Sequence, residues 1–175
     1  MLGLKRGVVK LAPHNPKWAK AFKREKRRLF SGLKNSVIAI EHIGRTAMPG
    51  IPARPILDMA VGIKNMAEAK KLAKPLERLG YEWRKDVHSP RSKLFFVRGP
   101  EHKRTHYLHL MKYGGKIWQN DLLFRDYLRT HKKAAREYAT LKRKLAARFA
   151  DNRTKYTFRK GVFIHRILKE AVRHR

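Results

Sequence analysis

Cysteine is missing from this 175-residue chain, and with it go disulfides, thiolate metal sites and a cysteine nucleophile. Acidic residues are scarce. Thirteen Asp and Glu stand against 44 Lys and Arg, a formal net charge of +31 with an isoelectric point near 11.2. A surface so dominated by one sign repels itself, and an anionic partner is the natural counterweight. Cationic acceptors such as aminoglycosides do not suit it, and thermophile surfaces, which add both signs in networks, do not resemble it. No apolar run approaches the roughly 20 residues that a membrane span needs. The opening MLGLKRGVVKLAP has no apolar stretch leading to a small-residue cleavage site. No membrane insertion and a cytoplasmic location are the expectations. Repeats and low-complexity linkers are also missing.

Enough apolar residues remain, 42% of the chain, to build a core and make global disorder a poor account. The length fits one domain, residues 1–175. PKWAKAFKREKRRLF (16–30) opens on a proline suited to a first helical turn, with Trp18, Ala21, Phe22 and Leu29 at helical spacing. SVIAIEHIG (36–44) and PILDMAVGI (55–63) read as strands. MAEAKKLAKPLERLG (66–80) reads as a helix ending at Gly80. Strands follow at 81–85, 93–99 and 105–113, the first two joined by DVHSPRS. Beyond Gly114-Gly115 the period becomes 3.6, giving three helices with breaks near Thr130 and Asp151. The expected fold is α/β (α+β): a sheet-containing core over 1–113 and a helical layer over 114–175. The charge is not confined to a tail, because residues 116–175 alone carry 18 Lys and Arg against 5 acids.

The segment EHIGRTAMPGIPARPILD (41–58) is longer, stiffer and more charged than a strand connection requires. A glycine at a strand end, followed by a basic and a hydroxyl residue, lets backbone N–H groups approach phosphate. Gly44, Arg45 and Thr46 supply this. Asp58 then sits inside an apolar strand, where a carboxylate must be paired, hydrogen-bonded or metal-bound. The same stretch resembles the signature of the GrpB-like family, and VVKLAPHNPKWAKAFKREKRRL, KRTHYLHLM and WQNDLLFRDYLRTHKKAAREYATLKRKLA extend the resemblance over nearly the whole chain. That family belongs to the nucleotidyltransferase superfamily with the DNA polymerase β-like fold. The resemblance implies a mixed sheet with a Gly-Ser phosphate turn, and an Asp-x-Asp strand that holds two Mg²⁺ (or Mn²⁺) ions for an NTP. Here Arg45 stands where the family has Ser, and Ala60 where it has the second carboxylate. Asp58 matches the first carboxylate, and Glu41, from the neighbouring strand, is the candidate to complete the catalytic and metal-binding set.

Other candidates carry plainer alternatives. His42 is a phosphate contact or a hydrogen-bonded structural histidine. His106 and His109, three apart on a strand, lie on opposite faces and do not make a joint zinc site. His109 alone is a candidate for the site, as the resemblance implies. Arg54 before Pro55 binds phosphate or is simply solvated, and Arg98 and Arg104, flanking an expected hairpin, are candidates to line the nucleotide pocket. Asp121 and Arg125 fit an i,i+4 helix pair. KRKLAAR (142–148) fits a solvated face or one that tracks phosphates. The leading functional expectation is a Mg-dependent nucleotidyltransferase moving a nucleoside monophosphate from an NTP to an acceptor, RNA of tRNA-like kind fitting the charge best. The second is a catalytically impaired RNA-binding protein on that scaffold, for which Ala60 and Arg45 argue. A ribosome- or nucleoid-associated structural protein is the third, on charge alone.

Overall fold

The computed structural model describes residues 2–87 and 92–173 of the chain. Helix α1 spans Lys17–Leu33. Its apolar residues fall on one stripe, burying Trp18, Leu29 and Leu33 and leaving most of its Lys and Arg to water. Strand β1 is Ala39–Ile43 and β2 is Leu57–Ile63. A 3₁₀ segment, Met66–Leu72, leads into the short helix α2, Ala73–Arg78. Strands β3 (Tyr81–Trp83), β4 (Lys93–Arg98) and β5 (His106–Lys112) come next. Helices α3 (Lys116–Thr130), α4 (Lys132–Arg148) and α5 (Arg153–Arg173) complete the chain.

The five strands form one mixed sheet in the order β1-β2-β5-β4-β3. Only β2 and β5 pair in parallel among these neighbours. Flanked on both edges and covered on both faces, β2 is apolar at nearly every position, with Leu57, Met59, Ala60 and Val61 fully buried. Strand alternation then divides the sheet. Met59, Val61, Leu108 and Leu110 face the layer containing Leu29, Leu33 and Leu76 of α1 and α2. Ile43, Ala60 and Met111 face Trp118 of α3. Asp58 shares the parity of Ala60, so it points toward the C-terminal helices. Those helices close over Met48 and Ile51 of the 44–56 connection through Phe124, Leu128, Tyr138 and Ile167.

The expected mixed α/β architecture, its five strands in their order and its three C-terminal helices are all present. The 66–80 helix is the main departure. Pro75 has no N–H, and its ring clashes with the carbonyl four residues back in a continuous α-helix. The α-helical turn therefore starts only at Ala73, which places Pro75 in its first turn where no N–H is needed. The strands are also shorter than their apolar runs. Residues 88–91 of the expected DVHSPRS loop lie outside the described residues. No helix among the described residues is long and apolar enough to cross a membrane.

Candidate functional site

Gly44 ends β1 with φ +67°, in the left-handed region that favours glycine. A Cβ placed on it would stand 2.6 Å from Asp58 Oδ2, so the glycine makes room for the carboxylate itself. The β1–β2 register explains the closeness, since Ile43 lies directly opposite Asp58. On the other side, β5 runs parallel to β2 and brings His109 Nε2 within 3.6 Å of Asp58 Oδ1. Burial by itself raises the Asp58 pKa, but His109 and the charges of Arg45 and Arg54 outweigh it and hold the carboxyl far below the usual range. Burial, helped by Lys93, lowers the His109 pKa. Its Nδ1 is buried without a hydrogen-bond partner among the described residues.

A pocket of about 180 Å³ opens over this pair, lined among others by Gly44, Arg45, Asp58, Lys93, His109 and Asp121. Asp121 reaches it from α3. Burial raises its pKa, and the nearby Asp58 carboxylate pushes in the same direction. The expected Asp121–Arg125 pair is not formed. Arg125 turns instead to Asp126 at 2.7 Å, to Glu41 at 2.7 Å and to the His42 carbonyl at 3.0 Å, because the helix face carrying it lies against β1.

Toward the helices the surroundings are cationic. Arg45 Nη1 donates to the Tyr138 hydroxyl at 3.1 Å. Lys142 of α4 is fully buried and donates to the Pro52 carbonyl. Lys160 of α5 is 3% exposed and stands over the Tyr156 ring at 4.3 Å. Arg54 lies over the Tyr107 ring. Burial, reinforced by Arg45 and Arg54, pushes the Lys142 ammonium down to about 6 and that of Lys160 to about 5. Arg45 goes the other way, its pKa raised by Tyr138 and Asp58 against the opposing effect of burial.

Several expected site residues lie elsewhere. His42 points to the opposite face, stacked on Phe22 at 4.7 Å, with Nε2 2.9 Å from the Thr46 hydroxyl. Both side chains are buried there, away from the pocket. Glu41 is bound by Arg125 and does not line the pocket. Arg98 pairs with Glu25 of α1 at 2.9 Å, and Arg104 with Glu82 at 2.8 Å and the Gly99 carbonyl at 2.6 Å. Neither approaches Asp58, because even-numbered residues of β4 and β5 face α1 and Arg104 precedes β5 on a turn. A larger cavity of about 760 Å³ borders β3, lined by both charge signs; Arg104 lines it, and Asp58, Gly44 and His109 do not.

These residues do not fit the two-ion centre implied by the resemblance to nucleotidyltransferases. The second carboxylate position is Ala60, and Glu41 is neutralised by Arg125. No group of three or more His, Asp or Glu among the described residues is placed to hold a metal ion. What remains near Asp58 is an imidazole, the single further carboxyl of Asp121 and several cations, a poor donor set for a pair of oxygen-seeking ions.

The model of the family described as GrpB protein matches residues 8–170. The chain belongs to the GrpB family. It is 35% identical over 165 residues to the UPF0157 protein YqkA of Bacillus subtilis, covering 94% of this chain and 48% of that relative. The chain thus spans about half the length of that curated relative. A crystal structure of GrpB from Enterococcus faecalis superposes with a TM-score of 0.85 at 32% identity, over 94% of this chain and 98% of that one. The Cid1 poly(U) polymerase, in a structure with MgGTP bound, aligns at a TM-score of 0.54 and 14% identity, over 78% of this chain and 44% of that one. That second likeness is one of fold alone, a shared mixed-sheet architecture.

Proposed function

We propose that this GrpB protein is a nucleotidyltransferase that binds an NTP by its phosphates at the Gly44–Asp58 pocket and transfers a nucleoside monophosphate to RNA. The observation that carries the reading is Asp58, held ionised beside Gly44 and His109, in a pocket that Arg45 and Lys93 also line. In such a transfer an acceptor hydroxyl forms the new bond to the α-phosphorus, the bond to pyrophosphate breaks, and the hydroxyl proton leaves toward the Asp58–His109 pair. Magnesium or manganese enters as part of the substrate, carried by the NTP. RNA is the acceptor class that a net charge of +31 favours.

A second reading, an impaired nucleotidyltransferase that binds RNA without transfer, is favoured by Ala60 and by the capture of Glu41 by Arg125. Incubation with labelled NTPs, Mg²⁺ and total RNA separates the two. Label on RNA, lost in Asp58→Asn, is the result expected for the transferase. RNA binding that weakens with salt, together with RNA that stays unlabelled, is the result expected for the binder.

A further inference from the structure

The interior behind Asp58, where Lys142 and Lys160 are buried, carries more positive charge than its protein partners balance. Arg45 and Arg54 both act on Lys142 and Lys160, and Asp58 is the carboxylate that acts on Arg45, Lys142 and Lys160. With the adjoining pocket included, Lys93 joins the cations and Asp121 the acids. Two of these groups have no charged partner of their own. Lys142 reaches the Pro52 carbonyl and the Tyr138 ring, whose hydroxyl also holds Arg45, and Lys160 makes a ring contact with Tyr156 but no hydrogen bond to the described residues. The Tyr156 hydroxyl beside it is buried and also without a partner among them. Burying an ammonium without a counter-ion is costly, and apolar side chains of the same length would serve packing better.

We propose that Arg45, Arg54, Lys142 and Lys160 form a metal-independent site for the phosphate chain of a di- or triphosphate, supplying the positive charge that a second carboxylate and its ions would otherwise bring. The pocket beside Gly44 and Arg45 is the way in, and the phosphate chain bridges residues that the fold draws from the 44–56 connection, α4 and α5. Arginine offers paired donors to phosphate oxygens, and lysine a compact charge. The lowered lysine pKa values in the free protein agree with this, because an entering anion restores the charged form. The inference extends the proposed pocket but does not need the transfer reaction.

The test uses the full chain in EDTA with inorganic triphosphate, ATP and AMP, read by melting temperature and by calorimetric titration. Triphosphate is expected to raise the melting temperature by several degrees with EDTA present, and AMP to do far less. ATP binding well above triphosphate identifies the nucleotide as the source of the phosphate chain, and equal binding identifies free polyphosphate. Lys160→Met is expected to melt above the parent when free and to lose at least tenfold in triphosphate affinity. Lys70→Met, on the exposed surface, controls for the general charge and is expected to bind as the parent does. If Lys160→Met does not fold, Arg54→Gln is read in its place for the same loss of affinity. Binding that appears only when Mg²⁺ is added overturns the inference, as does Lys160→Met or Arg54→Gln binding triphosphate like the parent. Label transfer in the RNA assay can fail while triphosphate still binds in EDTA, so the two readings stand or fall separately.

Discussion

Glu25 and Asp58 are carboxylates under opposite faces of the same sheet, each among arginines, and they are balanced differently. Glu25 of α1 is 5% exposed and accepts from Arg28, from Arg98 and from the Tyr81 hydroxyl at 2.8 Å. Both arginines keep about a third of their side chains in solvent, where water can screen any excess charge. Asp58 faces a more enclosed set of cations and has no hydrogen bond of ordinary length to them among the described residues, with His109 Nε2 3.6 Å away. One cluster is closed by its own protein partners. The other has spare donors and spare charge, as a site for an incoming anion requires.

The sharpest way to break this comparison is to remove Glu25. Glu25→Ala strips three donors of their acceptor, and a loss of about 3 kcal/mol is expected, toward the low end for a broken buried pair because the arginines are partly solvated. Triphosphate should not recover that loss. A denaturant titration with and without triphosphate checks both statements.

Histidine titration gives the next effect. His42 and His106 are buried, and burial pushes both down to about 4. The unfolded chain takes up each proton near pH 6.5 and the folded chain only near 4, so stability is full above 6.5 and falls as pH drops through that window. By pH 5 each histidine accounts for about 2 kcal/mol of lost stability. His42→Gln should remove its share of the slope between pH 6.5 and 5. An unchanged slope would show that His42 takes up its proton at its ordinary value in the fold.

The smallest effect separates Arg45 from its anchor. Tyr138→Phe deletes the hydroxyl that accepts from Arg45 at 3.1 Å, which should cost about 1–2 kcal/mol. Chemical denaturation measures it, and no change would mean that Arg45 is held by Asp58 rather than by the tyrosine.

Much of this was legible in the sequence, and the failures share a cause. Period-2 and period-3.6 patterns placed the strands and helices, and the 41–58 segment marked Gly44, Arg45 and Asp58 before any fold was in hand. His42 and Glu41 could not be assigned from spacing alone, because their contacts with Phe22 and Arg125 depend on which helix covers which face of β1. Lys142, within a segment that fits a solvated or a phosphate-tracking face, and Lys160 do not stand out among 44 Lys and Arg. A signal was present, however. Each follows a buried tyrosine by four residues, Tyr138 and Tyr156, and so falls on the apolar stripe of its helix. Asp121 likewise precedes Phe124 and Leu128 on the inward side of α3. Charged residues on a core stripe point inward to a site, and net charge hides them. The converse holds for Phe158 and Val162, apolar residues that α5 leaves 77% exposed.

The central claim is that the Asp58 cluster is short of negative charge, and Asp58→Asn measured by melting with and without inorganic triphosphate tests it most directly. The substitution keeps the shape and removes the carboxylate that balances Arg45 and the buried lysines. The free variant should melt several degrees below the parent, and triphosphate in EDTA should raise it by more than it raises the parent, because the anion replaces the lost charge and no longer meets Asp58. A variant that melts at or above the parent and does not respond to triphosphate would contradict the account.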